Sequence, residues 1–226
     1  MTAPTRGESR FSPDRLAYWY FRLNGFLTTE NFVVHPETGG HQRTDADLIA
    51  VRFGNRTEGG GHPLLDDPGV AKLDSQINVV IAEVKRGLCS LNGPWTRPDG
   101  RNMQEVLRCI GCLPPYEVAA ASQAPIERGM WQSTAASVRM YAVGERRNAL
   151  VIPDDQQLIW SHIIRFITSR FRDYRGRKSA VGQWSEDGRI LQAAALIGDE
   201  DAIRAEFGLR PRAEIDAGLD GGHAVD

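Results

Sequence analysis

The chain has 226 residues and a formal net charge of −2, with 27 Lys and Arg against 29 Asp and Glu. Its apolar share of 41% supports a packed core and excludes a wholly disordered chain. The near-neutral charge excludes the global cationic field of many nucleic-acid binders, while leaving room for a local basic groove.

Residues 1–8 hold no apolar run and do not read as a secretion signal. Ser12-Pro13 predicts a helix start, with Ser as N-cap and Pro in the first helical position. Leu16, Trp19, Tyr20 and Leu23 form its apolar stripe, and Asn24-Gly25 stops it. Residues 26–35 read as a turn into a first strand, closed by His35-Pro36. A loop over 36–43 leads to a second strand over 46–53. Residues 54–75 are glycine-rich and polar, with too little apolar content to pack a core, and predict a flexible excursion. They lack the Lys-Ser/Thr of a P-loop.

Residues 77–84 then read as a third strand, apolar on both faces and so central in a sheet. After a turn-rich link, residues 99–110 predict a helix that buries Met103, Val106, Leu107 and Ile110. Pro114-Pro115 reads as a break, 116–121 and 137–144 as strands, and 149–152 as a short apolar run. Pro153-Asp154-Asp155 reads as the opening of the longest helix, through Leu158, Ile163, Ile167 and Phe171. Its acidic start and basic end suit the helix dipole. A second helix covers 188–197, and the charged, glycine-rich residues from 211 on predict disorder. No segment is long and apolar enough to span a membrane. Three cysteines, an odd number, suit a reducing cytoplasm. Cys109 and Cys112 form a single C-x-x-C, read as buried small side chains ahead of a zinc or redox pair.

The chemistry concentrates in two strands. Asp47 opens Asp-Leu-Ile-Ala, and Glu83-Val84-Lys85 closes the apolar third strand. Residues two apart share a strand face, so Glu83 and Lys85 point the same way, with Val79 and Ile81 behind them. If the two strands are neighbours, Asp47 lies beside Glu83. Two close carboxylates repel unless a cation sits between them, and hard oxygen donors suit Mg2+. Asp45 is the rival carboxylate, read as a loop residue. An ordinary surface ion pair is the plainer alternative.

This constellation resembles the PD-(D/E)xK nuclease superfamily, with Asp47 and Glu83-Val84-Lys85 as the matching residues. Ala46 stands where that family usually has proline, and the spacing from Asp47 to Glu83 implies an insertion. The resemblance covers roughly residues 11–121. It implies an α/β restriction-endonuclease-like core: helix, three strands, helix, strand, with a mixed central sheet flanked by helices. The core would occupy residues 1–152 with a polar insertion at 54–76. A helical extension over 153–210 would pack on it, with a disordered tail at 211–226.

The implied activity is metal-dependent hydrolysis of nucleic-acid phosphodiesters, DNA ahead of RNA. Mg2+, or Mn2+ in its place, would be held by Asp47, Glu83 and the Val84 carbonyl. Lys85 would assist the attacking water, and Gln104 is the polar candidate on the following helix. Arg43, Arg86, Arg97 and Arg101 lie near in sequence and could meet phosphates. The expected setting is cytoplasmic and off the membrane, with the oligomeric state left open and a homodimer as one option. The alternative is a catalytically inactive nuclease-fold domain that serves as a nucleic-acid or protein interaction subunit.

Overall fold

Residues 77–84 are apolar at almost every position, and such a strand must be covered on both faces. The computed structural model describes residues 9–34, 44–56, 65–71, 75–97, 99–150, 153–173, 175 and 184–220. The chain forms helix α1 (Pro13–Leu23), strands β1 (Leu27–Val34) and β2 (Thr44–Phe53), short helix α2 (Pro68–Ala71) and strand β3 (Ile77–Val84). A 3-10 turn (Gly93–Thr96) leads to α3 (Arg101–Ile110), α4 (Pro115–Arg128), β4 (Met130–Gln132) and β5 (Ala136–Gly144). A second 3-10 turn (Asp154–Gln156) precedes β6 (Gln157–Ile159), α5 (Trp160–Asp173), α6 (Glu186–Ile197), α7 (Glu200–Glu206) and α8 (Arg212–Asp220).

The architecture is mixed α/β: a six-stranded mixed sheet flanked by helices, in the order β1-β2-β3-β5-β4, with β6 also on β5. β1, β2 and β3 are antiparallel neighbours, β3 and β5 run parallel, β4 is antiparallel to β5, and β6 is parallel to it. Alternation along β3 divides its side chains between two cores. Val80, Ala82 and Val84 join a cluster with Leu16, Tyr20, Phe21, Trp160, Ile163 and Phe171. Val79 and Ile81 join a second cluster with Trp95, Met103, Val106, Leu107 and Val118. So α1, α5, α6 and α7 cover one face, and α3 and α4 the other.

Four expectations are corrected. Residues 116–121 are helical, not a strand. Pro115 occupies the first turn of α4, where its missing N–H is harmless, and Gly129 ends the helix at φ 74°. The proline pair therefore starts a helix instead of only ending one. Pro153-Asp154-Asp155 does not open α5. Residues 157–159 add a strand along the free edge of β5, burying Leu158, and the helix begins at Trp160.

The excursion over 54–75 is not detached from the core where it is described. Val70 is fully buried, and Asp67 is 2% exposed. Arg52 pairs with Asp66 at 2.6 Å, and Arg170 Nη2 donates to the Leu65 carbonyl at 2.7 Å. Finally, Arg212–Asp220 is helical where disorder was expected, while 221–226 lie outside the described residues.

Candidate active site

Asp47 and Glu83 come together because β2 and β3 pair in antiparallel register and then separate. The ladder ends at Leu48 opposite Ala82, one residue short of Asp47 and Glu83. β2 also changes its facing here. Leu48 and Ala50 lie in the α1 cluster, whereas Ala46 lies in the α3 cluster. On the other side of β2, the ladder to β1 skips Asn31, whose φ is 51°. Asparagine tolerates this left-handed conformation better than other non-glycine residues. Asp47 thus sits where the regular strand fails.

The Asp47 carboxylate takes over the missing ladder bond. The Val84 N–H donates to Asp47 Oδ2 at 2.7 Å. In a strand, a residue's N–H and C=O point to the same side, so the Val84 carbonyl opens toward the same gap. Lys85 faces the other way with its backbone, its N–H donating to the Val143 carbonyl at 2.9 Å. The Trp160 indole N–H donates to the Lys85 carbonyl at 3.0 Å. The Lys85 side chain returns to the Glu83 side, and its Nζ donates to Glu83 Oε1.

Glu83 is fully buried, and its second oxygen, Oε2, has no hydrogen-bond partner among the described residues. Burial is the main reason its carboxyl is pushed up to about 7. The Lys85 contact opposes that rise, Asp47 adds to it, and the Trp95 indole opposes it. That indole Nε1 faces the carboxylate but reaches no acceptor at hydrogen-bond distance. Burial also raises the Asp47 carboxyl, while the Val84 N–H and Lys85 lower it and Asp14 and Asp45 raise it. The result is a pair of proton-hungry carboxylates under one ammonium. A buried carboxylate oxygen without a donor is costly, and either a proton or a cation would satisfy it.

Of the residues singled out from sequence, Asp47, Glu83, Val84 and Lys85 converge. The Gln104 amide is engaged locally: it donates to the carbonyl of Asp99, just ahead of α3, at 3.2 Å and accepts from Arg108 at 3.3 Å. Arg101 is mostly exposed and faces Glu105 at 3.9 Å. Arg97 is exposed just after the Trp95 turn. Arg86 is exposed and lines a separate cavity of about 210 Å³ with Arg146 and Arg210. Arg43 lies outside the described residues. Cys109 is exposed rather than buried, and Cys112 is half-buried.

Sequence reading missed Trp95, Trp160 and Asp14. An apolar run hides which indole will meet a charged group. An acid in a helix's first turn is ordinarily explained by the dipole, so Asp14 carries no signal of its own. Among the described residues, no cluster of three or more His, Cys, Asp or Glu side chains is arranged to hold a metal. No helix among them is long and apolar enough to cross a membrane. Comparison of the chain with protein-family models, with curated proteins and with solved structures returned no match.

Proposed function

We propose that this chain is a Mg2+-dependent phosphodiesterase acting on nucleic acid, DNA ahead of RNA, with a restriction-endonuclease-like core. The observation that carries the reading is the gap between β2 and β3. It gathers two carboxylates, a backbone carbonyl and a lysine, with the Glu83 carboxyl raised to about 7 and one of its oxygens unpartnered among the described residues. The element order supports it: α1, three strands that pair antiparallel, helices α3 and α4, the short strand β4, and then β5, which runs parallel to β3.

The donor set suits a hard cation such as Mg2+: Asp47 and Glu83 would supply carboxylate oxygens and Val84 a carbonyl. A cation bound there would supply Lewis-acid polarisation of the phosphate and a more acidic water. The chain's own contribution is electrostatic and positional. Asp47 holds its orientation through the Val84 N–H. Glu83 must give up its proton to act as a ligand. Lys85 Nζ, held at Glu83 Oε1, is placed beside the pair to stabilise negative charge building on the phosphate.

The test is cleavage of plasmid, linear and single-stranded DNA and of RNA with Mg2+, Mn2+ or EDTA. Asp47→Asn and Glu83→Gln are expected to abolish metal-dependent cutting while the protein stays folded. Lys85→Ala is expected to lower the rate far more than it weakens metal binding, because its role lies in the transition state. A parent that cuts nothing and gains no stability with Mg2+ or Mn2+ would overturn the enzyme reading. It would leave an inactive interaction domain of the same fold, the reading favoured by the complete burial of Glu83 beneath Lys85.

A further inference from the structure

On the opposite face of the sheet from Glu83, a cavity of about 260 Å³ opens between α2, β5, β6 and the start of α5. Its lining includes Arg139, Arg147, Arg165 and His162, with Asp154 and Asp155 at the same cavity. Arg139 is only 7% exposed, and its Nη1 donates to the Tyr141 hydroxyl at 3.4 Å. Arg147 and Arg165 are exposed and make no ion pair or hydrogen bond among the described residues. His162 is fixed in place: Nε2 meets Asp67 Oδ2 at 2.7 Å, and Asp67 is 2% exposed. That bond uses one ring nitrogen and leaves Nδ1 for another partner.

We propose that this cavity binds a small phosphate monoester that also carries hydroxyl groups, such as a pentose phosphate or a nucleoside monophosphate. Guanidinium groups present forked donors that match phosphate oxygens, and two of them here have no acceptor among the described residues. A buried carboxylate that orients an imidazole is a common way to aim the second ring nitrogen. The acids Asp154 and Asp155 repel a polyphosphate or an extended nucleic-acid strand, yet accept hydrogen bonds from hydroxyls. The cavity is therefore matched to a ligand with one phosphate and a hydroxylated body. This site does not depend on the nuclease reading, because it shares no residue with the Asp47–Glu83 gap.

The test is calorimetry and thermal melting of the full chain with inorganic phosphate, ribose 5-phosphate and adenosine 5′-monophosphate, at ionic strength matched with sodium chloride. One or both esters are expected to bind more tightly than inorganic phosphate and to raise the melting temperature in a dose-dependent way. The Arg147→Ala/Arg165→Ala double variant is expected to weaken that binding by roughly tenfold or more for each guanidinium lost. Both positions are exposed, so the variant should fold. Arg108→Ala/Arg189→Ala, which removes the same charge elsewhere on the surface, should bind like the parent. Three results would each overturn the proposal: no shift beyond the salt control, equal weakening in both double variants, or inorganic phosphate binding as well as the esters.

Discussion

Glu83 is a residue whose environment opposes its charge. Its carboxyl titrates at about 7 in the folded protein, above the ordinary carboxylate value of 4.5. The folded state therefore holds a proton that the unfolded chain has released. Stability is highest below the unfolded value and declines as the pH rises from there toward about 7. Glu83→Gln removes this dependence, and Lys85, at 28% side-chain exposure, can turn to water. The variant is expected to melt close to the parent at pH 5. At pH 8, without divalent cation, it should be more stable by up to roughly 3 kcal/mol, about 1.36 kcal/mol for each unit of the shift. Urea titrations at the two pH values check this. A variant less stable than the parent at pH 8 would show that the Lys85 pair holds the fold together and that the site is structural. The same titration sets the pH range of metal binding, because protons compete for Glu83 as the pH falls through about 7.

Among the elements, α2 shows how a polar segment joins a core. Residues 54–75 have the composition of a loose loop, but Asp67 links several elements at once. Its backbone N–H donates to Asn24 Oδ1 at 2.8 Å, its Oδ1 accepts from the Gly69 N–H at 2.8 Å, and its Oδ2 meets His162. The Tyr141 hydroxyl then donates to the Gly69 carbonyl at 2.8 Å. Burial works to raise the Asp67 carboxyl, but the His162 and Gly69 contacts outweigh it and the net shift is downward.

A lowered carboxyl contributes stability that is present above its unfolded value and lost as pH falls through the folded value. Asp67→Ala is expected to destabilise by about 2 kcal/mol at pH 7, since it removes the acceptor of the Gly69 N–H and the partner of the partly exposed His162 ring. The difference from the parent should shrink as the pH is lowered toward 3 (about where carboxylates protonate). Melting both proteins across that range checks the sign. A gap that stays constant with pH would remove the electrostatic account.

Across the whole molecule, one apolar cluster joins α1 and α5 to Leu191 and Ala195 of α6, Ile203 of α7, and Phe207 and Leu209 of the turn after it. A polar tie crosses between the sheet and these helices. Arg204 is fully buried and grips Glu145, at the end of β5, through Nη1 at 2.9 Å and Nη2 at 3.1 Å. It also donates to Glu200 at 2.9 Å. Arg204→Ala leaves Glu145, at 8% side-chain exposure, without its cation. The expected loss is about 3 to 5 kcal/mol, measured by urea unfolding. A loss below about 1 kcal/mol, the range of exposed pairs, would mean that water replaces the guanidinium and that the tie is superficial.

Elements whose periodicity is long and whose ends carry punctuation are legible in the amino-acid order alone. α1 follows from Ser12-Pro13 and Asn24-Gly25, α3 from its apolar stripe, and β3 from a run apolar on both faces. That order also determined which face of β3 Glu83 would share with Val79 and Ile81, because alternation is a local property of an extended chain. The antiparallel register that sets Asp47 against Glu83 was an inference conditional on neighbouring strands. Only the fold decided it, since pairing is a contact between distant residues.

The tertiary structure alone decided that β2 and β3 diverge just before that pair, and that Asp47 replaces a lost ladder bond to Val84. It alone decided that residues 116–121 are helical, because their short apolar pattern fits either period and the neighbouring strand β5 fills the place they would have taken. It likewise brought Asp67 to His162, 95 positions apart, giving a polar loop the partners that make burial favourable. No local pattern records such a meeting, because desolvation and pairing arise only when the chain has closed on itself.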